Sequence, residues 1–238
     1  MSRVAAILPA AGLGTRMGAE TPKQFLELDH LPLVVFTLRR LAACAEISEF
    51  LIATLAEEET ALTERVAKEK LGRPVRVVRG GGTRQESVGK ALAEVGEGVE
   101  IVVVHDAVRP LVSREQTERV LAAAREHGAA IVGIPALDTV KEVKRTSQPG
   151  DVALITATIP RERIVLAQTP QAFRTELLRD AYALAAREGF TASDEAGLVE
   201  RLDHDVYVVA GSIRNLKITR PGDMELARFY LDQERKSN

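Results

Sequence analysis

Short apolar runs alternate with amphipathic stretches along almost the whole chain. Residues 3–8, 50–55, 75–78, 101–104 and 130–134 are brief and rich in Val, Ile, Leu and Ala, which predicts buried strands. Between them, residues 33–45, 57–70, the stretch carrying Ser87, Val88 and Leu92, and residues 113–127 place apolar side chains at helical spacing. Start signals agree with this: Pro32 stands at a favoured first-turn position, Thr83 can cap its helix, and Ser113 with Gln116 forms a capping box. Strands that alternate with helices predict an α/β fold built as one doubly wound, mostly parallel sheet over residues 1–238.

The alternation breaks at Asp138. Thr139-Val140-Lys141-Glu142-Val143-Lys144 has period two, Gln148-Pro149-Gly150-Asp151 reads as a turn, and residues 152–159 are again β-like. Residues 138–169 are therefore expected to form an inserted β-hairpin arm. A lone hairpin is marginal in water, so the arm must pack on the body or on another subunit. Gln168-Thr169-Pro170-Gln171 reads as the turn that returns the chain to helix, over residues 175–188. A short helix from Ser193-Asp194-Glu195-Ala196, a strand at 205–209 and a closing amphipathic helix at 223–235 complete the pattern.

Composition narrows the function. The 238 residues are 45% hydrophobic and 28% charged, an ordinary balance for a soluble globular protein. A net charge of −2 argues against a bulk electrostatic nucleic-acid binder, so any phosphate site must be a local concentration of cations. Cys44 is the only cysteine and cannot form an internal disulfide; no apolar leader or membrane segment is visible, and the cytoplasm is the expected compartment.

Candidate chemistry gathers at expected strand ends. After the first strand comes Pro9-Ala10-Ala11-Gly12-Leu13-Gly14-Thr15-Arg16-Met17-Gly18, with Pro22-Lys23-Gln24 behind it. Small residues let backbone N–H groups approach phosphate, and Arg16 and Lys23 add charge. The spacing matches neither the dinucleotide fingerprint nor the nucleoside-triphosphatase loop. The plain alternative is a tight connection, although a loop of this length is unusual without a function. Arg79-Gly80-Gly81-Gly82-Thr83-Arg84 is a second glycine loop, and ligands of open α/β sheets bind beyond the carboxyl ends of strands, where both loops must lie. A third strand end carries His105-Asp106-Ala107-Val108-Arg109-Pro110. Asp106 there suits Mg²⁺, which takes one or two carboxylates plus phosphate oxygens, or else closes the turn with Arg109. Asp194 and Glu195 are read as first-turn acids that complement a helix dipole. Lys217, read as a strand residue between Leu216 and Ile218, projects away from their packing and is either solvated or part of the site.

Together these motifs, with Asp138-Thr139 and Lys141, Gln168-Thr169-Pro170-Gln171 and Asn215-Leu216-Lys217-Ile218-Thr219, resemble the 2-C-methyl-D-erythritol 4-phosphate cytidylyltransferase family, in order and over nearly the whole chain. The resemblance implies a Rossmann-like nucleotidyltransferase that moves a cytidylyl group from CTP to a polyol phosphate in the non-mevalonate isoprenoid pathway. It implies catalytic roles for Arg16 and Lys23. Nucleotide contacts fall to Ala10, Ala11, Gly12, Leu13, Gly14, Gly80, Gly81, Ser87 and Asp106, with Asp106 also holding Mg²⁺. Substrate positioning falls to Arg161, Lys217, Thr139 and Arg109. It further implies a homodimer whose arm reaches across, bringing Thr139 and Arg161 to the partner's site. Gly82 departs from the family pattern, where an acid often follows the glycine pair, and Val108 replaces a usual alanine. A ribitol-phosphate cytidylyltransferase and a non-catalytic nucleotide-binding protein on the same fold are the competing readings.

Overall fold

The first strand, β1 (Arg3–Ala10), has apolar neighbours on both faces: Val4, Ala6, Leu8 and Ala10 enter one core cluster, and Ala5 and Ile7 the other. A computed structural model describes residues 3–12, 22–144 and 153–237. Past the first loop a 3-10 turn at Lys23–Phe25 and a small hairpin, β2 (Glu27–Leu28) and β3 (Leu31–Pro32), lead to α1 (Leu33–Ala42). Local backbone hydrogen bonds order this segment, the Phe25 N–H to the Pro22 carbonyl and the Leu33 N–H to the Leu26 carbonyl among them. The chain continues through β4 (Ile47–Thr54), α2 (Glu59–Ala67), β5 (Val75–Arg79), α3 (Arg84–Ala93) and β6 (Val99–Val104). α4 (Arg114–His127) and β7 (Ala129–Pro135) precede the arm strands β8 (Val140–Lys144) and β9 (Leu154–Ile159). Last come β10 (Val165–Arg174), α5 (Thr175–Glu188), α6 (Glu195–Glu200), β11 (Tyr207–Ala210) and α7 (Pro221–Ser237).

Among the described residues, seven strands form one sheet in the order β11-β7-β10-β6-β1-β4-β5. All its pairings are parallel except the two made by β10. α1, α2 and α4 cover one face, and α3, α5 and α6 the other, as the two-sided burial of the strands requires. α7 lies apart, packing Met224, Ala227 and Leu231 on Leu28, Leu33, Val108 and Ile218. From β1 the chain moves outward to β4 and β5, then returns through α3 to β6 on the other side of β1. That reversal puts a topological switch point at the carboxyl ends of β1 and β6, where open sheets of this kind leave a crevice. The helix caps follow the sequence signals: Thr83 Oγ1 accepts from the Glu86 N–H, and Ser113 with Gln116 completes its capping box.

Three expectations are corrected. The hairpin of the arm closes with β9 at Ile159, and residues 165–174 are a strand of the central sheet rather than the end of the arm. Gln168-Thr169-Pro170-Gln171 is the buried middle of that strand, not a turn. Its polar composition misleads because every one of these side chains that can bond finds a partner inside. Gln168 Nε2 donates to the Ser212 carbonyl, Thr169 Oγ1 meets His105 and the Asp106 N–H, and Gln171 Nε2 donates to Asp194. Lys217, in turn, lies on an irregular segment rather than a strand; its neighbour Ile218 donates its N–H to the Val108 carbonyl at 2.9 Å. No helix among the described residues is long and apolar enough to cross a membrane.

β10 depends on Phe173, which is fully buried on the face that meets α5 and α6. Phe173→Ala is expected to lower unfolding free energy by about 3–5 kcal/mol in urea titrations, the range for a large core aromatic cut to Ala.

Candidate active site

The carboxyl ends of β1 and β6 open into a cleft of about 400 Å³, lined among others by Ala10, Ala11, Gly12, Lys23, Arg84, Ser87, Asp106 and Lys217. Each reaches it for a local reason. The backbone turns out of β1 at Ala10, where Gln24 Nε2 donates to the Ala10 carbonyl at 2.7 Å and ties the Lys23 turn to the strand end. The second glycine loop closes against the first. A Cβ on Gly80 would stand 2.5 Å from Ala11 Cβ, and one on Gly81 2.3 Å from Glu86 Cβ, so only glycine permits this approach. Ser87 Oγ accepts from the Gly81 N–H at 3.0 Å and donates to the Thr83 carbonyl at 2.8 Å, which fixes the loop on the start of α3.

Asp106 forms the floor. It is 5% exposed and sits among three cations: Arg84 Nε lies 3.1 Å from Oδ1, Lys217 Nζ 2.9 Å from Oδ2, and Arg109 Nε 3.4 Å from Oδ2. Burial opposes ionisation here, but Arg84, then Lys217 and Arg109, outweigh it and hold the carboxyl far below the usual carboxylate range. Arg109 is also spent on the Asn215 carbonyl, 2.8 Å from Nη1, and lines a smaller adjoining cleft of about 210 Å³ with Gln168, Thr169 and Lys217. The Asp106–Arg109 contact that closes the turn is present, and the same carboxylate edges the cleft.

His105 is wholly buried beside this group. Thr169 Oγ1 lies 2.9 Å from Nδ1 and the Arg109 carbonyl 3.1 Å from Nε2. Because a carbonyl can only accept, Nε2 carries the proton, and the Thr169 hydroxyl serves Nδ1. Burial pushes the His105 pKa down to about 4. It is a neutral bracket at the strand end, bonded at both ring nitrogens.

The structure does not bring every expected residue together. Leu13, Gly14 and Arg16 lie outside the described residues. Gly80 and Gly81 shape the loop from behind rather than lining the cleft. Thr139 and Arg161 are exposed on the arm side, Arg161 Nη1 donating to the Leu137 carbonyl at 2.6 Å, and neither lines the cleft of its own chain. Conversely, sequence reasoning gives Arg84, Gln24 and Glu195 no site role. Arg84 has one usable signal, its place on the first helical turn after a glycine loop. Glu195 has none that separates it from an ordinary first-turn acid, and Asp194 behaves as that reading expects, capping α6 through the Gly197 N–H. Among the described residues, Cys44, Glu46 and Glu118 alone form a cluster with metal-ligand reach. It lies away from the cleft, and both its carboxylates already pair with arginines.

Two outcomes test this geometry. Gly80→Ala should leave the protein folded and weaken nucleotide binding, read by calorimetry with CTP, because the added Cβ drives the two loops apart. The pH test concerns His105. Its folded pKa of about 4 lies below the unfolded 6.5, so the unfolded chain binds the extra proton between these values. Stability is therefore full above pH 6.5 and falls toward pH 4, by at most about 1.4 kcal/mol per pH unit for this one group. Urea titrations at pH 7 and pH 5 should show that loss in the wild type and a smaller one in His105→Gln.

Comparison with known proteins agrees with this geometry. Residues 4–233 match the family model described as 2-C-methyl-D-erythritol 4-phosphate cytidylyltransferase (IspD). A protein of that name from Acidobacterium capsulatum is 53% identical, over 97% of this chain and 98% of that protein. The crystal structure of the Thermus thermophilus protein of the same name superposes with a TM-score of 0.77 at 36% identity, covering 96% of this chain and 98% of that one. The crystal structure of 4-diphosphocytidyl-2C-methyl-D-erythritol synthase from Anaerococcus prevotii gives a TM-score of 0.82 at 29% identity, over 96% and 98%. With the family model spanning nearly every residue and a close relative matching end to end, the chain belongs to the 2-C-methyl-D-erythritol 4-phosphate cytidylyltransferase family.

Proposed function

We propose that the cleft at the ends of β1 and β6 performs the family's reaction with Arg16 and Lys23 as its catalytic cations, Lys217 as a substrate-positioning cation and Asp106 as the ligand of Mg²⁺. The chain is a nucleotidyltransferase that transfers the cytidylyl group of CTP to 2-C-methyl-D-erythritol 4-phosphate in isoprenoid biosynthesis. Neither the ribitol-phosphate nor the binding-protein reading is favoured by the family match. The observation that carries the assignment is the meeting, in one cleft, of the β1 loop backbone, Lys23, Asp106 and Lys217.

The chemistry asks for little else. A phosphate monoester oxygen of the acceptor attacks the α-phosphorus of CTP, the bond from that phosphorus to the bridging oxygen breaks, and pyrophosphate leaves. The nucleophile is already ionised, so no general base is needed. What must be overcome is the approach of anion to anion and the charge gathering on the non-bridging and leaving oxygens. Cations and N–H groups held in place before the reaction do this without reorganising. Lys23 is set by the turn that Gln24 ties to Ala10, and Lys217 by the bond from Ile218 to Val108. Asp106 fits a magnesium site of the one-carboxylate kind, because its carboxylate stays ionised and edges the cleft, where triphosphate oxygens would supply other ligands. Bound there, the ion would neutralise negative charge on the triphosphate.

The arm fits a dimer. Its strands form a separate two-stranded sheet, and Leu137, Val143, Leu154 and Ile155 are large apolar side chains left exposed at 73%, 44%, 68% and 57%. A second subunit would cover them, and Thr139 and Arg161, absent from their own chain's cleft, would serve the partner's acceptor site.

Lys23→Ala should lower kcat on the order of a hundredfold to a thousandfold, with Mg·CTP binding largely kept, in a pyrophosphate-release assay. Activity within about threefold of wild type would remove Lys23 from the catalytic role. Arg161→Ala should raise KM for the acceptor while calorimetry shows unchanged CTP affinity. Mixing the two impaired variants at low acceptor concentration should restore partial activity, since a mixed dimer then holds one site with both residues intact. No recovery, with subunit exchange demonstrated, would place Arg161 in its own subunit's site.

A further inference from the structure

The wall of the cleft beside Asp106 is held by a chain of buried and half-buried polar groups that the reaction does not itself require. Arg84, at the start of α3, spends its whole guanidinium on two carboxylates. Nη1 and Nη2 lie 2.8 Å and 2.9 Å from the two oxygens of Glu195, and Nε lies 3.1 Å from Asp106 Oδ1. Glu195, on α6, is 1% exposed, and the Tyr182 hydroxyl of α5 donates to its Oε1 at 3.1 Å. Burial, reinforced by Glu195, pushes the Tyr182 phenol up, so it stays a donor. The fold makes room for this contact. Gly89 of α3 faces the Tyr182 ring, where a Cβ would lie 3.1 Å from Cε1 and 3.2 Å from Cδ1. The start of α6 is itself tied to β10, since Gln171 Nε2 donates to Asp194 at 2.7 Å and Gln171 Oε1 accepts from the Ala196 N–H at 3.3 Å.

A buried ion pair of this kind is weak evidence of a stability device, because desolvating both charges offsets most of their attraction. Its geometry has a different consequence. We propose that Glu195 and Tyr182 are positioning residues for the reaction, bracing Arg84 on Asp106 Oδ1 so that the carboxylate offers the incoming metal–triphosphate only Oδ2. This rests on the reading of Asp106 as the metal ligand. The two sides of Asp106 are unequal. Oδ1 faces a planar fork fixed at three nitrogens, whereas Oδ2 has Lys217 at 2.9 Å, a single ammonium on a flexible stem with 37% of its side chain exposed, and Arg109 Nε only at a longer 3.4 Å. Lys217 can turn to a substrate phosphate when the polyanion arrives; Arg84, clamped by Glu195, cannot follow. The brace therefore determines which oxygen is exchanged and keeps the carboxylate from rotating.

Manganese binding, read as free ion by electron paramagnetic resonance with CTP present and no acceptor, separates this from a structural role. Glu195→Gln, which keeps the shape and removes the charge, should weaken Mn²⁺ binding roughly 10–100-fold, the usual cost of losing an outer-shell partner of a metal ligand. Tyr182→Phe should shift it the same way by less. Both should bind CTP without metal as the wild type does. Mn²⁺ affinity within about twofold of wild type in both variants, with only a fall in thermal midpoint, would overturn the proposal by making the brace purely structural. Should Glu195→Gln not fold, Tyr182→Phe decides by the same criterion. Asp106→Asn tests the underlying reading separately: retained Mn²⁺ binding there would overturn the metal assignment and the brace with it. Loss in Asp106→Asn without loss in the other two would overturn the brace alone.

Discussion

A carboxylate buried at the end of a strand with three cations around it constrains everything near it. Asp106 stays ionised there, and neither Arg84 nor Arg109 can move without leaving a buried charge to a poorer partner, whereas Lys217 has the most exposed side chain of the three. The partners come from three distant parts of the chain, the helix after the second glycine loop, the turn after β6 and the segment before α7. Holding them together is work the whole sheet performs. Parallel strands deliver β1 and β6 with their carboxyl ends level, and β10, running the other way, brings Thr169 to the Asp106 N–H and His105 ring.

The same arrangement explains why the cleft needs no acid–base machinery. His105 lies beside Asp106 yet is desolvated, bonded at both nitrogens and neutral, so it stiffens the strand end. Charge in the site is permanent, carried by lysines and arginines whose positions are set by backbone contacts such as Ile218 to Val108 and Gln24 to Ala10. Phosphoryl-group chemistry between two anions calls for that kind of site, because what limits it is electrostatic and geometric. The exposed apolar arm extends the logic outward: Thr139 and Arg161, expected to serve the acceptor, flank a two-stranded sheet that its own body leaves uncovered.

Much of this was legible in the residues themselves. Apolar runs four to eight residues long, capping signals at Thr83 and Ser113, and glycine loops at strand ends follow from local sterics and burial, which nearest neighbours in sequence determine. Hence α5 runs over Thr175–Glu188 as the periodicity predicts, and α4 starts at its capping box. The ordered motifs also marked the family, and with it Lys23, Asp106 and Lys217 as one group.

What the sequence could not convey is how polar groups are satisfied at long range. Gln168-Thr169-Pro170-Gln171 has the composition of a turn, and only the tertiary structure decides that it is a central strand, because its partners Asp194, Ser212 and His105 arrive from elsewhere in the chain. Glu195 looks like any first-turn acid until α5 and α3 close around it and give it Tyr182 and Arg84. Periodicity and caps are local and so are written in order along the chain. The pairing of buried charges depends on which strand ends meet, and only the folded sheet determines that.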